Sequence, residues 1–269
     1  MNNRELLKHL KETNFIPSKK MGQNFLICNN YKKLIVDTLE ISEEDNIIEI
    51  GPGFGALTSL ILDKTRNLKL VELDKRIHAH LKETFTDIEI INNNILDVNL
   101  DDLCIEDKTN KIISNLPYSI SSKAIVKIIK CKYIESSILM IQKEVAERIT
   151  AKECSKNYNG FSVFIQLVCE PKKLFDVPNT VFHPKPSVTS SVIKLTRKDN
   201  LDFDIDKMEK FIRKCFGQKR KIIFNNLKEF FNHEDVTNAL LKLEIDKNRR
   251  PETLTLNEYK ELFNKIYLL

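Results

Sequence analysis

Hydrophobic positions along the 269-residue chain fall into two regimes. Up to about residue 198, short apolar runs alternate with stretches whose apolar residues recur every three or four positions, as strands alternate with amphipathic helices. Leu6, Leu7 and Leu10 mark one helical face, and Tyr31, Leu34, Ile35, Val36 and Leu39 a second. Asn46–Ile50 reads as a buried strand that runs into the glycine turn Gly51-Pro52-Gly53-Phe54-Gly55-Ala56, followed by a helix with Leu57, Leu60 and Ile61. Leu68–Asp74, Ile88–Ile91, Lys111–Ser114 and Ile138–Ile141 read as further strands. Helices with Ile77 and Leu81, and with Ile120, Ala124, Ile125, Ile128 and Ile129, fall between them, and the charged stretch Gln142–Arg148 reads as another. Phe161–Val168 is apolar nearly all round and should be buried. Strands are expected at about 172–177 and 188–196, separated by Phe182-His183-Pro184-Lys185-Pro186, where two prolines forbid regular structure. The alternation implies an α/β fold, a mostly parallel sheet with helices on both faces.

Past Lys198-Asp199-Asn200 the pattern becomes helical only. Met208, Phe211, Ile212, Cys215 and Phe216 form one apolar stripe, and helices are expected at about 219–231, 234–243 and 256–267. Thr255 and Glu258 make a capping-box pattern for the last. The expected organisation is one domain over residues 1–198 and a small helical domain over 199–269.

Composition narrows the picture less than pattern does. Hydrophobic content of 42% and charged content of 30% are ordinary for a globular chain. A net charge of +5 permits a polyanionic partner without establishing one. The six cysteines are scattered without a C-x-x-C pair, and His78 and His80 point to different faces of a helix, so reduced thiols and no metal site are expected. No apolar run approaches a membrane span and the N-terminus has no apolar signal core; the expected location is cytoplasmic.

Strand, glycine turn and helix open a nucleotide-binding unit, although the turn alone would also suit a dinucleotide. Glu72 lies nineteen residues past Gly53, the place for an acid that grips ribose hydroxyls, which points to an adenosine-containing ligand. Asn92-Asn93-Asn94, at the end of the third strand, suits either an adenine edge or a turn. The fourth strand delivers Asn115-Leu116-Pro117-Tyr118: an amide, a proline backbone and an aromatic ring, a pocket for a flat, amine-bearing base. Period rules do not explain Gly22-Gln23-Asn24-Phe25-Leu26, whose plainest reading is a cap on the first helix. The Phe182–Pro186 loop comes late enough to fold back as a wall of the site. Lys219-Arg220-Lys221, with Arg213, Lys214, Arg249 and Arg250, reads either as a phosphate-binding surface or as a solvated helix face.

With Gly22–Leu26, Gly51–Ala56, Glu72 and Asn115–Tyr118 in one chain, the sequence resembles the ribosomal RNA adenine N6,N6-dimethyltransferases of the KsgA/RsmA type. The likeness extends to Gln142–Arg148, Phe182–Val188, Phe216–Lys221 and Arg250–Leu254. It implies a class I S-adenosylmethionine-dependent methyltransferase sheet, Rossmann-like, with a helical C-terminal domain. It also implies S-adenosylmethionine as donor, no metal, and two neighbouring adenines near the 3′ end of small-subunit rRNA, free or in a 30S-type precursor particle, as acceptors of a monomeric enzyme. By position, Asn24 and Leu26 would meet the methionine part of the donor, Gly51 and Gly53 its glycine-loop side, Glu72 the ribose, Asn94 the adenine, and Asn115 the reacting end. Asn115, Leu116, Pro117 and Tyr118 would form the catalytic set, and Tyr118, Phe182, Lys219, Arg220 and Lys221 would meet the RNA. One departure stands out: the family usually has an acid where this chain has Asn94.

Three other readings share part of these features. Large-subunit rRNA adenine methylases that confer antibiotic resistance usually carry Asn-Ile-Pro-Tyr at the fourth strand; Leu116 and Gln218–Lys221 favour the small-subunit class. A nicotinamide-dependent oxidoreductase would use the glycine turn and Glu72 but not Asn115–Tyr118. A non-catalytic ribosome-assembly factor would have little reason to keep the whole Asn-Leu-Pro-Tyr set.

Overall fold

The computed structural model describes residues 3–218 and 220–267. In chain order its elements are α1 (Asn3–Glu12), β1 (Phe25–Leu26), α2 (Asn29–Asp37), β2 (Asn46–Ile50), α3 (Thr58–Leu62), β3 (Leu68–Glu72), α4 (Lys75–Thr84), β4 (Glu89–Asn92) and β5 (Asn110–Asn115). There follow α5 (Ser121–Lys130), β6 (Ile134–Gln142), α6 (Lys143–Ile149), α7 (Gly160–Val168), β7 (Cys169–Val177), β8 (Phe182–His183) and β9 (Ser190–Arg197). The remaining helices are α8 (Ile205–Cys215), α9 (Ile223–Leu227), α10 (His233–Lys242) and α11 (Leu256–Tyr267).

Seven strands form one sheet in the order β4-β3-β2-β5-β6-β9-β7. The pairs β2–β3, β3–β4, β2–β5 and β5–β6 are parallel, and β6–β9 is antiparallel. All five residues of β2 are buried, as a strand covered on both faces requires. From β2 the chain builds outward through β3 and β4, then returns to the other side of β2 with β5. That reversal opens a crevice beyond the C-terminal ends of β2 and β5, where the glycine turn and Asn115 both emerge. The mostly parallel α/β sheet expected from periodicity is present.

A second, two-stranded sheet pairs β1 with β8, Phe25 opposite His183 and Leu26 opposite Phe182. Two expectations change here. Gly22–Leu26 is not merely a helix cap, and the proline-flanked segment is not wholly irregular, because two residues of each find hydrogen-bonding partners in the other.

The chain divides into two compact units: residues 1–146 with 172–197, and residues 147–171 with 198–269. The second therefore takes in 147–171 as well as the expected 199–269. The cause lies in α7, whose apolar surface requires cover on most sides: it packs on α8 and α11 within the same unit. A Cβ on Gly160 would come 3.2 Å from the Phe216 ring. The α8 stripe is buried at Met208, Phe211, Ile212 and Cys215, and the Thr255–Glu258 capping box forms. The helix expected over 219–231 spans only Ile223–Leu227. Buried Asn226 accepts from the Gln218 N–H at 3.1 Å and donates to the Cys215 carbonyl at 2.9 Å, and the Ile223 N–H bonds to the Arg249 carbonyl. These bonds give Gln218 and Ile223 partners outside a helical ladder; Lys219, where the expected helix begins, lies outside the described residues.

Candidate active site

The C-terminal ends of β2, β3 and β5 border a cleft of about 1110 Å³, part of it open solvent. Its floor is the turn after β2. Gly51 and Gly53 have φ of +67° and +55°, and a Cβ on Gly53 would lie 3.1 Å from the Phe25 ring, so both backbone conformation and space select glycine.

Two acids line this largely apolar cleft. Glu72, at the end of β3, is buried, and its carboxylate accepts from the Asp74 N–H at 2.8 Å and from the Gly53 and Leu73 N–H groups. Burial pushes its pKa up to about 7 against those bonds. Glu49, inside β2, is pushed by burial up to about 8; the Thr58 hydroxyl donates to it at 2.7 Å, and the nearby Glu72 charge adds to the rise. Sequence reading gave Glu49 no role. Its signal was a lone charged residue within a strand otherwise apolar after Asn46.

The loop before β1 forms the facing wall. Gln23 Oε1 accepts from the Ser18 N–H at 2.7 Å, and Gln23 Nε2 donates to Asp74 Oδ2 at 2.9 Å. Asp74 caps α4. Burial would raise its carboxyl, but bonds from Arg76 and Gln23 hold it down at about 2. Asn24 lines the cleft, and its main-chain oxygen accepts from Asn115 Nδ2 at 3.0 Å. Leu26 lines the cleft too. At the far end, Asn94 Oδ1 accepts from the Leu96 N–H at 3.0 Å, which leaves the Nδ2 donor end to meet a ligand. The turn expected of this asparagine forms, and Asn94 also lines the cleft.

The Asn115–Tyr118 segment splits by function. Asn115 and Pro117 line the cleft. With Nδ2 spent on Asn24, no described residue engages Asn115 Oδ1 through a recorded hydrogen bond. The Pro117 carbonyl accepts from the Ile120 N–H at 3.1 Å and keeps a second lone pair. Leu116 is 1% exposed; its side chain belongs to the core, and its N–H anchors the segment to the Met140 carbonyl of β6. Tyr118 is half-buried, and its hydroxyl lies 2.7 Å from Ser190 Oγ. Phe182, expected to meet RNA, is 3% exposed and packed in the core opposite Leu26, so its ring is not offered to a ligand.

The expected basic cluster is largely spent on intramolecular partners. Lys221 pairs with Glu229 at 3.0 Å, Arg213 with Glu209, and Arg249 grips Glu258 with two nitrogens and also bonds the Thr253 carbonyl. Lys214 lies 4.4 Å from the Phe231 ring centre. Arg220 and Arg250 are exposed, and Lys219 lies outside the described residues. Among the described residues, no group of three His, Cys, Asp or Glu side chains could hold a metal ion, and no helix is long and apolar enough to cross a membrane.

Comparison with known proteins gives this arrangement its context. The family model described as ribosomal RNA adenine dimethylase matches residues 15–267. The chain is 48% identical to ribosomal RNA small subunit methyltransferase A of Malacoplasma penetrans, covering 98% of this chain and 97% of the relative. It is 39% identical to the protein of the same name from Chlorobaculum parvum, covering 95% and 92%. Among solved structures, a dimethyladenosine transferase from Plasmodium falciparum superposes with a TM-score of 0.78 at 23% identity, over 88% of this chain and 95% of that one. The 23S rRNA methyltransferase ErmE gives 0.69 at 22% identity, over 90% and 99%. Both share the fold, a Rossmann-like class I methyltransferase sheet with appended helices.

Proposed function

The chain belongs to the ribosomal RNA adenine dimethylase family, and from that premise we propose that it dimethylates N6 of two adjacent adenosines near the 3′ end of small-subunit rRNA, with S-adenosylmethionine as donor. The observation that carries the chemistry is the split use of Asn115: its amide hydrogen is committed to Asn24, and its oxygen stands at the cleft.

The cleft suits an adenosine-bearing donor. Glu72 lines the cleft and already accepts from the Asp74, Gly53 and Leu73 N–H groups, and its remaining acceptor capacity would meet the ribose hydroxyls. Asn24, Leu26, Gly51 and Gly53 would hold the methionine side, and Asn94 Nδ2 the adenine edge. When bound, the donor supplies a methyl made electrophilic by a sulfonium, so activation needs no metal.

The protein's task is to prepare a reluctant amine, because the N6 lone pair is delocalised into the purine. Asn115 Oδ1 accepts one N6 hydrogen, and the second lone pair of the Pro117 carbonyl accepts the other. Two acceptors so placed favour a pyramidal nitrogen whose lone pair faces the methyl, and catalysis is by positioning and electrostatics. Tyr118 stacks on the base, worth ~1–3 kcal/mol, once the target nucleotide has left its own stack. The methyl–sulfur bond would break as the N–C bond forms, releasing the donor as a neutral thioether. The cationic nitrogen would then lose its proton to water, so no general base has to act first. The substrate is taken to be a 30S-type precursor particle, met in the cytoplasm by a monomeric enzyme.

The test is transfer of labelled methyl to small subunits that lack the modification, followed by nucleoside analysis. Labelled N6,N6-dimethyladenosine in the small-subunit RNA is expected. Label only in large-subunit RNA, or none in either, would reject the proposal.

A further inference from the structure

Ser190 was in no expected site, yet it is fully buried at the start of β9 with its hydroxyl 2.7 Å from that of Tyr118. The sheet explains how the two meet. β5, β6 and β9 lie side by side, Asn115 pairs with Met140, and Ser190 pairs with Gln142 at the end of the β6–β9 ladder. A side chain leaving the end of β5 therefore reaches across β6 to the first residue of β9. The next serine along faces the other way: Ser191 donates to Asp176 at 2.6 Å. Tyr118 is thereby held at both ends, its carbonyl by the Ser121 hydroxyl at 3.2 Å and its phenol by Ser190.

We infer that Ser190 is a positioning residue for the acceptor base: it fixes the Tyr118 ring, and the second methyl transfer depends on that hold more than the first. The inference rests on the role given to Tyr118 above. An unmodified adenine offers two N6 hydrogens, one for Asn115 Oδ1 and one for the Pro117 carbonyl. A monomethylated adenine offers one, so its edge is held by half as many bonds while its amino group rotates to present the remaining hydrogen. Stacking then carries a larger share of the positioning, and a ring free to tilt about its own axis supplies less of it.

The experiment compares Ser190→Ala, Tyr118→Phe, the double variant and Ser190→Thr on unmethylated small subunits. Monomethyl- and dimethyladenosine are quantified at equal times, and donor affinity is measured by calorimetry. Each single variant is expected to slow dimethyl formation roughly three- to tenfold, the range of one lost hydrogen bond, and to accumulate monomethyladenosine. The double variant should match the worse single one, Ser190→Thr should restore the product ratio, and donor affinity should be unchanged in all four. A bond with only a structural role would lower thermal stability and leave the product ratio alone. A wild-type ratio in both single variants, or multiplying effects in the double, would overturn the inference. Tyr118→Ala separates this from the premise: wild-type transfer there rejects the stacking role itself, whereas a large loss there beside wild-type behaviour in Tyr118→Phe and Ser190→Ala rejects only the role of Ser190.

Discussion

Asn115 matters for how its two ends are divided, which residue identity alone could not show. The Nδ2 bond to the Asn24 carbonyl ties the end of β5 to the loop before β1. Asn115→Ala should cut methyl transfer by one or more orders of magnitude while calorimetric donor affinity stays within a few-fold, because the donor's main contacts lie elsewhere. Glu72 gives a pH prediction. Its pKa in the folded protein is raised by burial to about 7, and in the proposed donor site its ionised form would be the better acceptor for ribose hydroxyls. Donor affinity should therefore rise as pH is increased from about 6 to 8, and Glu72→Gln should flatten that profile. The same shift has the opposite sign for the unliganded fold. Between the ordinary 4.5 and the raised values of Glu72 and Glu49, the folded state holds protons that the unfolded chain has released, so thermal stability should fall as pH rises across that window. Glu72 was legible from its distance to the glycine turn. Glu49 was not, because one charged residue in a buried strand does not say what it faces.

At the scale of elements, legibility followed length. α5 and α8 have enough residues to show a period, β2 is a compact apolar run bounded by the glycine turn, and all three appear where the pattern put them. β1 and β8 have two residues each, too few for any period, and their partners lie far apart in the chain. That pairing puts Phe182 inside the core, and the cleft lining includes none of residues 182–186, so the loop does not supply the expected wall. Phe182→Ala should therefore behave as a core deletion, costing about 3–5 kcal/mol in denaturant unfolding. A full-strength fold with weakened RNA binding would instead restore the substrate-facing role. The short α9 departs from the pattern for a related reason: buried Asn226 bonds the Cys215 carbonyl at the end of α8 and the Gln218 N–H.

For the whole molecule, charge and domain organisation carry the consequences. The basic run was visible in the sequence, but the acids that neutralise it were not assignable, since Glu229 and Glu258 lie eight and nine residues from their partners on other elements. Arg249→Ala should lower the melting temperature, because it abandons Glu258 and the Thr253 carbonyl. Exposed Arg220→Ala should leave melting unchanged and flatten the salt dependence of RNA binding, by up to about one contact's worth. The boundary near 198 was read from the end of strand alternation, yet α7, earlier in the chain, completes the helical unit. A fragment of residues 199–269 should therefore lack a cooperative unfolding transition, having lost the cover over the α8 stripe. The small ribbon of β1 and β8 also sets a schedule for synthesis. Phe25 and Leu26 leave the translating machinery early and wait for residues 182 and 183, so a nascent chain has its glycine turn long before that side of the cleft is closed. A methyl donor present during translation thus has little to rescue until late, and its stabilising effect should fall on finished chains.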